Sequence, residues 1–458
     1  HARHASTLST THVGNSHRCE FCRIAVVKKL KVAVAGLGTV GRETVRLLRE
    51  RRSELRKRLG TELVLSAVAD RQAPREARAL GLPNSVIRYR DPADMAREAD
   101  ADIFVELLGG FDVPKRFALT ALGRGKPVVT ANKRLLAYAW PQLASAASAT
   151  GAGLAFEGSV AGGIPVLRAL DLSFAGDRVL GLDGILNGTT NYILSRCEEG
   201  LSAAQALREA QEKGFAEKNP GLDLSGRDAA QKLSVLAAMV TGGWLKPDSF
   251  PVSGIKTVTT RDVTYARERL GKAVRLVASL RFLGSPAAHR VEAGVSPTLV
   301  GLDHPLAAVR RQYNALLVST ASAGDLMFYG QGAGAGPTAS AVLADLFVTA
   351  RDLLGGRSAP RPGLRPITLA SRDAAACGFY LRLEVRDRPG ALARIADTLG
   401  REGVSIASIH QDLAAGSRAV PVMITTHPAR RVRFERARRR ILALNAVSAR
   451  HCAMRILA

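Results

Sequence analysis

Near the start of the chain, a short valine-rich segment runs directly into a glycine loop and then into a helical pattern. Residues 31–35 (KVAVA) predict a strand, GLGTVG follows, and ETVRLLRERRSELRKRL predicts a helix. In such a G-x-G-x-x-G loop, Gly36 permits a tight turn, Gly38 lets a pyrophosphate approach the backbone, and Gly41 allows the helix to pack closely on the strand. The helix N-terminus, which begins near Thr39 and Val40, adds the positive end of its dipole. This order of elements predicts a Rossmann-type domain that binds NAD or NADP.

The next predicted strand, over residues 63–69, ends at Asp70. An acidic residue at this position is suited to a ribose 2′-hydroxyl, which would favour NAD. Arg71 and Arg75 follow immediately, and either could instead hold the 2′-phosphate of NADP. The sequence leaves the choice between the two cofactors open.

Two further strands, over residues 103–108 and 127–129, continue the alternation of strands and helices. The second ends in Thr130, Asn132 and Lys133, and ligands of open parallel sheets lie beyond the carboxyl ends of the strands. We therefore expect these three side chains in the cofactor site. A strand at 154–156 leads to EGSVAGGIP over residues 157–165. This turn could present carbonyl groups to a cation or amides to an anion, and a purely structural turn is an equal alternative.

The stretch GFAEKNPGLDLSGRDAAQK, residues 214–232, combines turn residues with ionisable side chains. Asp228 and Lys232 are four residues apart on a predicted helix and so share one face. Taken alone, the stretch favours an exposed loop followed by a surface ion pair worth about 0.3–0.5 kcal/mol. The alternative is a site that binds a zwitterion and moves a proton, with Glu217 and Asp223 as further carboxylates. A polar loop, NGTTNY at residues 187–192, precedes this stretch.

The remaining segments define the outer parts of the chain. A second glycine-rich turn, over residues 328–338, precedes a strong helical pattern, so we expect the chain to return to the cofactor over about 315–355. Residues 356–376 are rich in Pro, Gly and Arg and predict a linker. Residues 377–458 show a βαββαβ order typical of a ferredoxin-like module, with a polar turn at 387–390. Residues 1–27 show no periodicity and are expected to be a disordered extension.

Composition limits the classes of function. The net charge of +25 comes from arginine spread over the whole chain, and with 5% aromatic residues there is no stacking platform, so we expect no nucleic-acid partner. The longest uncharged run, residues 135–156, contains Pro141, Gly151 and Gly153, so we expect no membrane span. Five scattered cysteines and no visible secretory signal predict a cytoplasmic protein.

Several segments together carry a resemblance to a known family. Residues 210–232 follow the pattern A-x3-G-F-A-x2-N-P-x2-D-L-x-G-x-D-x3-K, with Asn219 at a position where Asp is more usual. TANK, EGSVAGGIP, NGTTNYIL and GQGAGAGPTASAV occur in the same order as in that family. Over residues 28–458 the chain resembles homoserine dehydrogenase of the long form, which carries a C-terminal ACT domain.

The resemblance implies an α/β protein with an NAD(P)-binding domain at 28–150, an α+β catalytic and dimerisation domain at 151–315, and a ferredoxin-like ACT domain at 377–458. It also implies the reversible interconversion of L-aspartate 4-semialdehyde and L-homoserine, in threonine, methionine and isoleucine biosynthesis. A homodimer or homotetramer and regulation by L-threonine are expected from the ACT domain. The alternatives are a related dehydrogenase of another amino-acid semialdehyde and a non-catalytic amino-acid sensor.

The resemblance also assigns roles to individual residues. Lys232 would donate a proton to the carbonyl oxygen as hydride arrives, with Lys133 beside cofactor and substrate. We expect a close lysine pair to lower the pKa of each member. The remaining assignments are substrate binding by Glu217, Asp223, Asp228 and Thr189; cofactor contacts from Gly214, Gly332 and Gly334; sodium ligation by the main-chain carbonyls of Glu157, Val160, Gly162 and Ile164; and effector binding by Asp387, Pro389 and Gly390.

Overall fold

The glycine loop follows the first strand of a parallel sheet. The computed structural model describes residues 29–284, 290–356, 365–370, 376–411 and 419–457, and the extension expected over 1–27 lies outside them. Within these ranges, six parallel strands pair in the order β3-β2-β1-β4-β5-β6. The strands are β1 (Leu30–Ala35), β2 (Leu63–Ala69), β3 (Ile87–Tyr89), β4 (Ile103–Glu106), β5 (Val128–Thr130) and β6 (Leu154–Ala155).

Both faces of this sheet are covered, as the unbroken apolar strands require. Val32 and Val34 of β1 belong to one buried cluster, whereas Ala33 and Ala35 belong to another on the opposite face. The helices of this region are α1 (Thr39–Glu50), α2 (Arg52–Leu59), α3 (Ala73–Ala79), α4 (Pro92–Glu98), α5 (Asp112–Gly123) and α6 (Lys133–Thr150).

The long uncharged run at 135–156 forms most of α6 and then β6. Leu136, Ala139 and Leu143 of this helix are buried in the core beside the first sheet. Throughout the described ranges, no helix combines the length and the apolar character that a bilayer crossing needs.

A second, larger sheet begins with the strand that starts at Val179. Its first five strands pair in the antiparallel order β11-β10-β7-β8-β9, and the strands of the C-terminal module continue the sheet beyond β9. The first five strands along the chain are β7 (Val179–Ile185), β8 (Lys272–Phe282), β9 (Arg290–Gly301), β10 (Tyr313–Thr320) and β11 (Asp325–Gln331). The helices are α7 (Val166–Arg168), α8 (Gly188–Glu198), α9 (Ala203–Glu212), α10 (Gly221–Leu224), α11 (Arg227–Thr241), α12 (Thr260–Leu270) and α13 (Ala335–Leu354).

The segment that returns to the nucleotide-binding sheet is shorter than expected. We predicted a return over about 315–355, but β10 and β11 pair with each other and with β7 in the second sheet. Within this segment, α13 is the element that packs on α1, and its Val342 and Leu346 belong to the same buried cluster as Val34. The predicted turn at 328–338 is also shorter, because residues 328–331 continue β11. The apolar and aromatic residues before Gly332 favour strand pairing over a loop.

The C-terminal module has the predicted ferredoxin-like order. Its strands β13, β14, β15 and β17 pair as β17-β13-β15-β14, and Phe379 stacks on Phe434 in its core with ring centroids 4.0 Å apart. The predicted linker contributes a short strand that pairs with β9. The elements are β12 (Thr368–Leu369), β13 (Ala376–Val385), α14 (Ala391–Arg401), β14 (Ile406–Gln411), β15 (Val420–Thr426), β16 (Ala429–Arg430), α15 (Arg431–Leu442) and β17 (Val447–Ile456).

Strand pairing and a buried polar cluster join this module to the second sheet. Arg455 and Ile456 of β17 pair in parallel with β9. Asp262, which is 0% exposed, closes the capping box of α12 with Thr259. Its Oδ1 accepts hydrogen bonds from Tyr380 Oη at 2.8 Å and from Arg382 Nε at 2.7 Å. Burial and the nearby Asp262 raise the pKa of Tyr380 above its usual value, so the hydroxyl remains a donor.

Replacing Asp262 should therefore loosen the module. Asp262→Ala removes the fully buried carboxylate that Arg382 Nε contacts and leaves the guanidinium with its ion pair to Glu384 at 3.1 Å, so the expected cost is that of a charged hydrogen bond, about 1.5–3 kcal/mol. Thermal unfolding should show a Tm several degrees lower, and limited proteolysis should release the C-terminal module. Asp397→Ala is the matched control, because its ion pair with Arg401 is largely exposed and contributes little. Equal Tm values for the two variants would contradict this account.

Candidate active site

The glycine loop has the steric features that dinucleotide binding requires. Gly36 adopts a φ of 93°, and a Cβ there would overlap with the carbonyl oxygen of Leu107. A Cβ at Gly41 would overlap with the carbonyl oxygen of Gly36, so helix and strand pack too closely for any side chain. A Cβ at Gly38 has no heavy atom within 4 Å. The first and third glycines thus meet protein backbone, whereas the second faces open space.

The polar groups around this loop fit a dinucleotide. Gly38 caps α1 without a side-chain hydrogen bond, so the first N–H groups of the helix, which begins Thr39-Val40, can receive an anion. Asp70 Oδ2 accepts from Leu37 N at 3.0 Å, which holds the carboxylate beside the loop, where a ribose would lie. Arg71 is exposed next to it.

Side chains at the ends of β4 and β5 hold Lys133 in place. Thr130 Oγ1 donates to Glu106 Oε2 at 2.6 Å, and Asn132 Oδ1 caps α6 by accepting from Leu135 N at 3.0 Å. Lys133 is therefore the first residue of α6, beyond the carboxyl end of β5. Glu106, which the sequence analysis does not single out, is fully buried, and burial raises its pKa. Its one sequence signal is a carboxylate at the end of an apolar strand.

The Asp228 carboxylate lies between two lysines. Lys133 Nζ is 3.2 Å from Oδ1, and Lys232 Nζ is 2.9 Å from Oδ2. Lys232 Nζ also donates to the carbonyl oxygen of Leu186 at 2.6 Å. Asp228 and Lys232 are each only 7% exposed. The simpler interpretation of this pair as a surface ion pair is therefore wrong.

The charges in this cluster set the protonation states. Burial acts to raise the pKa of Asp228, but attraction to Lys232 and Lys133 outweighs it and holds that pKa below the usual range. Attraction to Asp228 raises the pKa of Lys133 despite its burial. The expectation that a lysine pair lowers the pKa of both members is thus wrong for Lys133, because a carboxylate lies between the two ammonium groups.

Asn187 is a further member of this cluster that the sequence analysis does not assign to the site. Its Nδ2 donates to Asp223 Oδ1 at 2.7 Å and to Asp228 Oδ2 at 2.9 Å. Its Oδ1 caps α8 by accepting from Thr190 N at 2.8 Å. Burial and the charge of Asp228 raise the pKa of Asp223. The signal in the sequence that points to Asn187 is an asparagine in an N-cap position at the start of a polar loop.

The remaining predicted substrate residues surround this cluster. The hydroxyl of Thr189 donates to the carbonyl oxygen of Phe215 at 2.8 Å and also interacts with Asp223. Glu217 is exposed, and its charge, after those of Asp228 and Asp223, adds to the raised pKa of Lys133. Gly214 is exposed and adopts a φ of 73° in the turn after α9.

The two glycine-rich turns pack against each other. Gly163 N donates to the carbonyl oxygen of Gln331 at 3.0 Å, and a Cβ at Gly162 would lie 2.9 Å from Thr338 Oγ1. Gly332 packs directly on Asn314, and Gly334 precedes α13. The predicted cation ligands lie in the first turn; Glu157 and Val160 are buried there, and the Ile164 carbonyl accepts from Val166 N at 2.7 Å.

The predicted effector turn lies elsewhere, at the start of α14. Asp387, Pro389 and Gly390 are all exposed, and Gly390 adopts a φ of 81° as the residue before the helix. This turn does not contribute to the lysine and carboxylate cluster.

The different surroundings of Gly38 and Gly41 predict different effects of the same substitution. Gly38→Ala should leave Tm unchanged but weaken cofactor binding at least about tenfold, because the methyl group takes the place of the pyrophosphate. Gly41→Ala should lower Tm as well, because its methyl group overlaps with backbone. Thermal unfolding and cofactor titration by fluorescence measure the two effects. A loss of stability in Gly38→Ala equal to that in Gly41→Ala would contradict this assignment.

Comparison with known proteins agrees with the site. A family model described as homoserine dehydrogenase matches residues 165–347, one for the NAD-binding domain of homoserine dehydrogenase matches 36–157, and one for the ACT domain matches 379–445.

Individual homoserine dehydrogenases are similar over most of the chain. The protein from Mycobacterium tuberculosis is 40% identical over 407 residues, which are 87% of this chain and 91% of the relative. That from Corynebacterium glutamicum is 39% identical over 83% of this chain and 85% of its own length. The crystal structure from Thiobacillus denitrificans superposes with a TM-score of 0.85 at 34% identity and covers 94% of this chain and 98% of its own. The chain therefore belongs to the homoserine dehydrogenase family, whose members are oxidoreductases that act on a CH–OH group of a small molecule with a nicotinamide cofactor.

Proposed function

We propose that the chain interconverts L-aspartate 4-semialdehyde and L-homoserine in threonine, methionine and isoleucine biosynthesis. The observation that carries this proposal is the buried Asp228 carboxylate held between Lys133 and Lys232. An aldehyde that is reduced needs a proton donor at its oxygen, and an amino-acid substrate needs a carboxylate for its ammonium group. The cluster brings both groups together.

Lys232 is the proposed proton donor. An ammonium group has three N–H donors, and two of them point to the Leu186 carbonyl and to Asp228. We assign the third to the substrate oxygen. The bound nicotinamide supplies the hydride, and the adjacent ammonium stabilises the negative charge that develops on that oxygen before it transfers the proton.

Substrate binding is proposed for the carboxylates and Lys133. Asp228 and Glu217 would hold the α-ammonium group, and Asp223 and Thr189 would support them. The raised pKa of Lys133 keeps its amine protonated, so it remains a fixed positive charge between cofactor and substrate. A fixed charge is suited to positioning, whereas Lys232, with two of its three donors occupied, is held in one orientation.

We infer a sodium ion held by the main-chain carbonyls of Glu157, Val160, Gly162 and Ile164, which lie in one buried turn. We infer threonine regulation through the turn at 387–390, and a homodimer or homotetramer in which the exposed edge strand β11, with Met327 and Tyr329 more than 40% exposed, takes part. Either NAD or NADP fits this loop, because Asp70 and Arg71 both lie beside it. Homoserine assays with either cofactor, with and without threonine or sodium, test these points.

Replacing Lys232 tests the central assignment. Lys232→Ala should lower kcat by about 10²–10⁴-fold, the usual contribution of a general acid, and leave cofactor binding nearly unchanged. Lys218→Ala is the control, because Lys218 is an exposed lysine in the preceding loop. Homoserine oxidation followed at the absorbance of the reduced nicotinamide measures both. An unchanged kcat in Lys232→Ala would rule the assignment out, and a panel of other semialdehydes would then separate the related enzymes.

The hydrogen bond from Asn187 adds to the effect of Lys232 and Lys133 in lowering the pKa of Asp228. Asn187→Asp keeps the N-cap of α8 but removes the donor to Asp228 and adds a carboxylate beside Asp223. Repulsion between carboxylates should raise their pKa, so activity that requires ionised Asp228 is lost at a higher pH as the pH falls. The expected shift of the acid limb of kcat/KM is about one pH unit upward.

The control for this variant is Asn219→Asp, which makes the same charge change at an exposed position. Lys133, Lys232, Asp223 and Glu217 are the charged groups around Asp228, and all of them remain in both variants. An acid limb that does not move in Asn187→Asp, or moves equally in Asn219→Asp, would show that Asn187 has no such role.

A further inference from the structure

A cavity lies between the C-terminal module and the catalytic domain, apart from the lysine and carboxylate cluster. Its volume is about 500 Å³, within the range of small-molecule pockets. The walls come from α15 and β17 on one side, and from residues 253–257 and the α10–α11 junction on the other. Lys133, Lys232 and the turn at 387–390 do not line it.

The charges of this cavity favour an anion. Among the described residues, five lysine and arginine side chains line it against two glutamates. Arg438 Nη2 lies 2.6 Å from Oε2 of Glu435, which also lines the cavity, and Arg455 Nη2 donates to Ser279 Oγ at 2.6 Å. Arg281 pairs with Asp183 outside the lining, so part of the positive charge is already compensated. Such anchored guanidinium groups are suited to planar carboxylates and to phosphates. Lys256 adds a positive charge from an exposed loop position.

The floor of the cavity is apolar. Phe434 of α15 and Met454 of β17 line it, and both belong to buried clusters of the protein. A ligand that satisfies both the cationic wall and this floor is a small oxyanion with a short apolar chain.

The cavity is mechanically connected to the carboxylate cluster. Leu224 and Ser225 line it directly after Asp223, which accepts a hydrogen bond from Asn187. The carbonyl of Leu224 accepts from Ile255 N at 3.0 Å, and Gly254 packs so closely that a Cβ there would overlap with that carbonyl. Movement of residues 253–257 must therefore move the residue next to Asp223.

We propose that this cavity is an effector site for a small oxyanion, a carboxylate or a phosphate with a short apolar chain, and that its occupancy shifts the position of Asp223. The site is distinct from the turn at 387–390. Binding at this cavity does not depend on the proposed reaction; only its effect on homoserine turnover does.

Cys377 provides a local readout, because it lines the cavity and is partly exposed, whereas Cys197 and Cys452 are buried. The full chain with Cys19→Ser and Cys22→Ser is treated with a thiol reagent in the presence of inorganic phosphate or of straight-chain carboxylates from acetate to hexanoate. Modification of Cys377 should slow at least about fivefold at saturation. Carboxylate affinity should rise about fourfold per methylene if the apolar floor is used, whereas a phosphate site would show protection by inorganic phosphate alone.

Two substitutions locate the binding. Lys256→Gln and Arg438→Gln should each weaken protection about tenfold, because each removes a charge-assisted contact. Lys246→Gln and Arg439→Gln are the matched controls, an exposed lysine outside the cavity and a neighbouring exposed arginine on α15, and should not change it. If no anion protects Cys377, or if protection persists in both cavity variants but is lost in Asp387→Ala, the proposal is overturned.

Turnover tests the coupling. A protecting anion should change KM for homoserine at least about twofold in the parent protein and not in Lys256→Gln. Protection of Cys377 without a change in KM would overturn the proposed coupling. If the protein does not turn over homoserine even without an anion, the proposed reaction has failed. Anion binding at the cavity is then judged from the modification of Cys377 alone.

Discussion

The position of one buried carboxylate determines the arrangement of the rest of the active site. Asp228 is ionised in a nearly closed environment only because two ammonium groups and an amide stabilise it. Those partners come from α6, α11 and the N-terminus of α8, so one side chain ties together the nucleotide-binding domain and the catalytic domain. Removing one of the partners would weaken this stabilisation in a medium of low polarity, and removing both lysines would leave the carboxylate without a countercharge, which is costly. The contacts that fix the protonation of Asp228 thus also join the two domains at this point.

Much of the fold follows from local sequence. The strand predicted at 63–69 is β2, and the order of strand, glycine loop and helix is as predicted, because a buried parallel strand is a continuous apolar run and the glycines are dictated by sterics. β8 is not predicted from the sequence, because Arg275 interrupts its apolar pattern. In the structure Arg275 is fully buried against Glu198 and the carbonyl of Ala307, and such compensation is visible only in three dimensions.

In the candidate site too, local features follow from the sequence, whereas contacts between distant residues do not. The spacing of Asp228 and Lys232 predicts that they share a helix face, but periodicity does not say whether that face meets solvent or Lys133. The sign of the pKa shift of Lys133 depends on which charge is nearest, and a sequence places no charge in space. The sequence does not predict Asn187 as a site residue, for a related reason. Its capping role is local and recognisable, whereas its contacts to Asp223 and Asp228 join residues far apart in the chain.

The pairing of β17 with β9 has a consequence for how the chain becomes a protein. β9 is made long before β17, and residues 251–253 pair only with the middle of its outer side. Until β12 and β17 pair with its two ends, these present unpaired N–H and C=O groups, the kind of edge at which sheets recruit foreign strands. The C-terminal module thus covers an edge of the catalytic sheet in addition to carrying the turn at 387–390 that is proposed to bind an effector. A shortened chain that kept every catalytic residue would have to protect β9 in another way, or it would tend to aggregate.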